Sequence, residues 1–274
     1  MAARQGRLVV CPTPIGNLED VTLRVLDALR EADVVAAEDT RHTRKLLARH
    51  GIDARLVSFH EHNERARARE LAKRIAAGET VALVSDAGTP GVSDPGFVLV
   101  RECLAQALPV EVLPGPTAVV TALVASGLPA DRWRFTGFLP RKAGELRAEF
   151  ERAGETLVAF ESPGRLVRTL ATLAEIDPER EVAVCRELTK AHEEVVRGTA
   201  AELAERYADK PPKGEMVLVI APPAAASSDA PDPAALDALR QLVDSGAHPR
   251  KAASVVASLT GASANALYRA LTSE

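Results

Sequence analysis

The sequence predicts an α/β protein: two α/β domains with mostly parallel or mixed sheets, followed by a small C-terminal helical module. Short apolar runs of strand length alternate with stretches of helical period. Loops rich in proline and glycine follow several of those runs, as they do at the strand ends of open α/β sheets. Of the 274 residues, 46% are hydrophobic and only 3% aromatic, so the core must be mostly Ala, Val and Leu.

Residues 7–11 (RLVVC) read as a short buried strand, and Pro12 to Asn17 form a loop too rigid for a helix. Val21, Leu23, Val25, Leu26 and Leu29 recur at helical spacing, with Glu19 and Asp20 in the first turn. A second strand follows at 33–37. A basic helix at 40–50 is closed by Gly51. A third strand at 55–59 precedes a charged helix at 63–77. The fourth strand, 80–84, feeds the long loop SDAGTPGVSDPG, residues 85–96. A helix at 97–108, a strand at 110–113 and a small-residue helix at 117–125 follow. The first domain is expected at 1–137, ending in a short strand at 134–139 before Pro140-Arg141-Lys142.

The second domain is expected at 138–221. Strands are read at 156–160, 181–185 and 216–221, with helical patterns near 166–174 and 200–207. Residues 222–233 form a Pro/Ala/Ser/Asp linker without apolar period. The tail, 234–274, holds helices at 234–243, 250–259 and 263–271. The last two have helix-turn-helix spacing, with Ala252 or Ala253, Val256, Leu267 and Leu271 inward; a plain helical hairpin fits the same period.

A formal net charge of −4 argues against a surface coated in positive charge, though local basic clusters remain open. Cys11, Cys103 and Cys185 form no C-x-x-C pair, so zinc and redox motifs are unsupported. Cys11 and Cys185 sit in apolar strand-like runs and read as small buried hydrophobes, which fits a reducing compartment. No apolar run approaches 18 residues and no apolar leader is seen, so a cytoplasmic protein without membrane contact is expected.

Neither G-x-x-x-x-G-K-[ST] nor G-x-G-x-x-G is present, which excludes a P-loop and argues against a dinucleotide-binding domain. Instead PTPIGN, SDAGTPGVSDPG and LPGPTA lie after strands. On one sheet edge they would make a backbone-lined cleft, suited to a neutral or zwitterionic ligand bearing an adenine and hydroxyls. Turns use the same residues, so each loop alone also fits a plain connection. Glu38-Asp39-Thr40-Arg41 follows the second strand: Asp39 or Thr40 caps a helix, and Glu38 faces the cleft. His60-Glu61-His62 follows the third. No further ligands can be placed for a metal there, so a polar substrate-facing cluster is favoured and no metal is expected. Basic residues gather on the 40–50 and 63–77 helices and at the domain junction. They are ordinary solvated faces or a phosphate-tracking surface; Arg41, Arg44, Arg65, Arg141 and Lys142 are the candidates for RNA contact.

VCPTPIGNLEDVTLR, AAEDTRHT, HEHNE, LVSDAGTPGVSDPG, LPGPTA, GFLPRK, FESPGR, RELTKAHEE and KGEMVLVI occur in this order. Together they closely resemble the bacterial enzymes that methylate a cytidine ribose 2′-oxygen in small-subunit (16S) ribosomal RNA, a branch of the tetrapyrrole methylase superfamily. The resemblance covers about residues 8–220, and more loosely the tail. It implies a tetrapyrrole-methylase-like fold, S-adenosyl-L-methionine as methyl donor, a homodimer, and a cytidine at the ribosomal decoding centre as acceptor. It places the donor against Pro14, Asp86, Ala87, Gly88, Thr89, Ser93, Asp94, Thr117, Ala118, Ser162, Leu188, Gly214, Glu215 and Met216. Two departures stand out. Gly164 replaces a common His, and Leu146 stands where an Arg or Lys is usual, which puts one phosphate contact in doubt.

Methyl transfer to a hydroxyl needs alignment and a proton acceptor. By polarity and loop position Glu38, Asp39, His60 and Lys190 are the catalytic candidates, Lys190 only with a lowered pKa. Two other readings compete. One is methylation of a tetrapyrrole-type small molecule on the same fold. The other is a non-enzymatic nucleic-acid-binding protein using the helical tail.

Overall fold

A computed structural model of the chain describes residues 5–152, 154–209, 212–223 and 233–272. The chain divides into two compact units, Met1–Pro222 and Pro223–Glu274. The larger unit holds two five-stranded sheets.

The first sheet is built from β1 (Arg7–Val10), β2 (Val34–Ala37), β3 (Leu56–Ser58), β4 (Thr80–Val84) and β5 (Val110–Val112), in the order β3-β2-β4-β1-β5. Every pairing is parallel. Helices α1 (Leu23–Glu31), α2 (Thr40–Arg49), α3 (Glu64–Ala76) and α4 (Phe97–Ala105) cover it, and separate apolar clusters fill its two faces. Burial on both sides explains why β2 and β4 read as unbroken apolar runs (VVAA, TVALV) instead of alternating ones. Glu19 and Asp20 lie in a short 3-10 turn, Leu18–Asp20, and not in the first turn of α1, which Thr22 caps. Because the strands are parallel, the loops leaving β1, β2, β3 and β4 gather at one edge.

The second sheet contains β6 (Trp133–Phe138), β7 (Thr156–Glu161), β8 (Glu181–Arg186), β9 (Glu194–Thr199) and β10 (Met216–Ile220), ordered β6-β7-β10-β8-β9. This sheet is the mixed one of the two. Only β6 and β7 run parallel, and the other three pairings are antiparallel. One of them joins β8 to β9, a strand the sequence reading passed over, which returns as a hairpin arm with no helix between. The other two are made by β10, which lies between β7 and β8 and runs against both. By hydrogen bonding this sheet begins at Trp133, ahead of residue 138.

One face of the second sheet packs α6 (Ala143–Glu151), α7 (Pro163–Ile176) and α8 (Ala200–Ala208). The other receives α5 (Ala118–Ser126), whose Val119, Ala122 and Leu123 meet Val158, Ala183, Cys185, Val217 and Val219. The helix leaving the LPGPTA loop thus joins the first sheet to the second.

In the smaller unit, α9 (Pro233–Asp244), α10 (Pro249–Thr260) and α11 (Ala264–Thr272) bury Ala235, Leu239, Ala252, Ala253, Val256 and Leu267, with Leu271 at the margin. Both alanines face inward. Of the linker expected at 222–233, residues 224–232 lie outside the described residues. No described helix is long and apolar enough to cross a membrane.

Candidate active site

The site grows from the loop after β4. Gly88 (φ +76°) and Ser93 (φ +63°) both adopt left-handed backbone, accessible to glycine and costly for serine. Thr13 and Gly88 exchange backbone hydrogen bonds of 2.9 Å in both directions, and the Thr13 hydroxyl donates to the Ser85 carbonyl at 2.9 Å. The loop after β2 is braced in the same way. The Asp39 N–H donates to Asp86 Oδ1 at 2.9 Å, and the Asp86 N–H donates to Glu38 Oε2 at 3.2 Å.

These loops form one wall of a cleft of about 540 Å³, and the second sheet supplies the other. The volume lies within the ~300–1,000 Å³ of small-molecule sites. Asp86, Ala87, Gly88, Thr89, Ser93, Asp94, Thr117 and Ala118 line it from the first half. Ser162, Leu188, Gly214, Glu215 and Met216 line it from the second. Pro14 does not. With Thr13 fixed to Gly88, the next residue but one, Ile15, reaches the wall.

The sequence reading also left out Val92, Phe138, Phe160, Glu161 and Cys185, which line the cleft as well. For Phe138, Phe160 and Cys185 the signal was faint: apolar residues at strand ends look like core until the sheet is placed. Phe138 and Phe160 do fall inside the quoted motifs GFLPRK and FESPGR, in a chain with only six phenylalanines.

Five carboxylates, those of Glu38, Asp86, Asp94, Glu161 and Glu215, line the cleft, and among the described residues no Lys, Arg or His does. Burial, then repulsion from Glu38, pushes Asp94 up to about 7, against an opposing hydrogen bond from Ser85. Glu38 is also raised, chiefly by burial, with the nearby charges of Asp86 and Asp39 adding and the Asp86 N–H opposing. Glu161 is fully satisfied: it accepts from the Ser162 N–H at 2.7 Å, Arg165 at 2.9 Å and the Thr169 hydroxyl at 2.6 Å. Burial pushes the Cys185 thiol up to about 11, which keeps it neutral.

The four catalytic candidates separate. Only Glu38 lines the cleft. Asp39 accepts from the backbone and guanidinium of Arg41, which hold it down at about 2, and it caps α2. His60 has its Nε2 3.3 Å from the Asn63 amide, while its buried Nδ1 has no hydrogen-bond partner among the described residues. Its ring meets that of His62 edge to face at 5.9 Å. Lys190 reverses the expectation of a lowered pKa. Burial pulls it down, but hydrogen bonds to Glu187 and Glu215, each 2.9 Å, raise it overall. The ammonium is a clasp between two loops.

Of the basic candidates, Arg41 is committed to Asp39 and Lys142 to Glu145 at 2.9 Å. Arg44, Arg65 and Arg141 are exposed and enter no ion pair among the described residues. Leu146 is buried in the second core, so this position offers no phosphate contact.

Two-sheet architecture and the cleft between the sheets define a class, and comparison with known proteins gives the same one. The sequence model of the tetrapyrrole (corrin/porphyrin) methylases matches residues 7–204. Uroporphyrin-III C-methyltransferase from Thermus thermophilus, solved in complex with S-adenosyl homocysteine, superposes with a TM-score of 0.56. It is 26% identical, over 79% of this chain and 97% of that one. A diphthine synthase structure shares the fold, with a TM-score of 0.62 at 17% identity over 79% of this chain and 90% of its own.

Curated relatives are nearer. The ribosomal RNA small subunit methyltransferase I of Mesorhizobium japonicum is 45% identical over 96% of this chain and 90% of its own length. That of Escherichia coli O157:H7 is 43% identical over 97% and 94%. This chain belongs to the tetrapyrrole methylases and, within them, to the ribosomal RNA small subunit methyltransferase I family.

Proposed function

We propose that this protein transfers a methyl group from S-adenosyl-L-methionine to the 2′-oxygen of a cytidine ribose at the decoding centre of small-subunit ribosomal RNA. The observation that carries the reading is the cleft lined by backbone-rich loops and carboxylates, with no Lys, Arg or His among the described residues that line it. A sulfonium and an ammonium suit a lining whose ionisable groups are carboxylates, two of them, Glu161 and Glu215, already paired with Arg165 and Lys190, whereas a phosphate gains no cation there. The RNA backbone would then stay outside the cleft, where Arg44, Arg65 and Arg141 are free to meet it.

The residues fit the donor. Asp86 to Thr89, Ser93 and Asp94 would hold it from one side, with Thr117 and Ala118; Ser162, Leu188 and Gly214 to Met216 from the other. When bound, it supplies a methyl group already activated for transfer. What the protein adds is alignment, exclusion of water by Ile15, Val92 and Leu188, and a proton acceptor. Glu38 takes that role. Its carboxylate is in the cleft, held by the Asp86 N–H, and its surroundings favour taking up a proton.

The tetrapyrrole reading is weaker because the relatives at 41–46% identity act, by name, on ribosomal RNA, while the porphyrin enzymes stand at 25–26%. The same substrate implies a cytoplasmic location. A homodimer is supported by the exposed Phe97 and Leu104 on α4 and Val120 and Val124 on α5.

Glu38→Gln tests the chemistry. Turnover is expected to fall by about 10²–10⁴-fold while S-adenosylhomocysteine still binds in a calorimeter. Turnover near wild type would remove Glu38 from the role.

A further inference from the structure

We infer that Phe138 is the platform on which the acceptor's pyrimidine ring stacks, and so a substrate-contacting residue for the RNA. The inference rests on the ribosomal RNA reading above.

Phe138 and Phe160 line the cleft and Phe135 packs on Phe160 behind them, so half of the chain's phenylalanines form one cluster. Residues three apart on a regular strand point to opposite faces. Here the β6–β7 register shifts between Phe135 and Phe138, and Gly137 takes a φ of +69°. That irregularity brings both rings onto Phe160, with centroids 5.0 and 5.5 Å away and planes at 70° and 61°. Phe138 is thereby fixed by its neighbour yet remains 60% exposed, and it lines the cleft. The same bulge sits against the donor loop: a Cβ on Gly137 would lie 3.5 Å from Ser93 Oγ. A rigid, open aromatic ring beside the donor loop leaves apolar area in water unless something covers it.

The acceptor's chemistry supplies the cover. One ribose must leave the RNA stack to enter a cleft of this size, and its base loses its stacking partners. With no cation among the described residues that line the cleft, the phosphates stay outside and only the nucleoside enters. An exposed phenyl ring replaces the lost stacking whatever the base edge offers.

Three variants test it: Phe138→Ala, Phe138→Leu and Phe138→Tyr. Each is measured for kcat/KM on small ribosomal subunits lacking the modification, and for S-adenosylhomocysteine affinity by calorimetry. Ala and Leu are expected to lose about 5- to 150-fold in kcat/KM. Tyr should stay within a few fold, and inhibitor affinity should stay within about twofold throughout. Unchanged kcat/KM in the Ala variant overturns the inference alone. Leu performing as well as Tyr reduces the ring to a greasy contact and also overturns it. A parallel loss of inhibitor affinity assigns the ring to the donor and does the same. Wild-type protein inactive on subunits overturns the ribosomal RNA reading, and this inference with it.

Discussion

Asp94 holds its proton near neutrality because it is buried beside Glu38 and Asp86 with too few donors to balance the charge. Its carboxyl titrates near 3.8 in an unfolded chain and near 7 in the folded one. Between those values the unfolded chain gives up the proton first, so this group's contribution to stability is whole below pH 4 and lost as pH rises to 7. Asp94→Asn should therefore gain thermal stability relative to wild type as pH is raised from 4 to 7.5, and show no gain at pH 4. A cationic donor favours the ionised form, so wild-type donor affinity should rise from pH 6 to 8, and the Asn variant should flatten that rise. Lys190 makes the opposite case. As a clasp to Glu187 and Glu215 it contributes about 1 kcal/mol, so Lys190→Met should lower Tm by roughly 2–4 °C without abolishing turnover. Its type and motif were legible in RELTKAHEE, but its charge state was not. Glu215 lies 25 residues away in sequence, and only the fold brings it within 2.9 Å.

At the scale of elements, the PTPIGN loop and the loop after β8 interlock. The Asn17 N–H donates to Thr189 Oγ1 at 3.0 Å. A Cβ on Gly16 would fall 2.5 Å from Lys190 Cγ and 2.6 Å from Thr189 Oγ1. With Lys190 pinned by two carboxylates, Gly16→Ala should cost about 1–3 kcal/mol and weaken donor binding, read by thermal melting and calorimetry. The parallel half was readable because burial on both faces writes continuous apolar runs. In the second half β7, β8, β10, α7 and α8 were readable too, but β9 and α6 were not. β9 (EVVRGT) carries Arg197 and Gly198 where an apolar period would be sought, and α6 (AGELRAEFE) buries Leu146, Glu149 and Phe150 among charges. Glu149 is held there by Arg134, a partner on β6 that no local pattern reveals. The bulge that presents Phe138 was equally hidden, since a glycine in a strand marks such a site without saying which side chain it turns.

At the scale of the molecule, every residue that lines the cleft falls between Ile15 and Val217, inside the larger unit. A chain cut after residue 222 should thus keep its donor affinity within about twofold; a tenfold loss would mean that the helical tail takes part. The cleft exists only where the two sheets meet, which is why its loops were recognisable one by one while the side chains that the second sheet adds between them, such as Phe138 and Cys185, were not. The central claim is ribose methylation of small-subunit RNA, and one measurement addresses it directly. Small subunits from a strain lacking the gene are incubated with the protein and isotopically labelled S-adenosyl-L-methionine, then digested to nucleosides and analysed by mass spectrometry. Label in 2′-O-methylcytidine, and its loss with Glu38→Gln, is the expected result. Label on a nucleobase, or none in RNA alongside transfer to a tetrapyrrole, would contradict it.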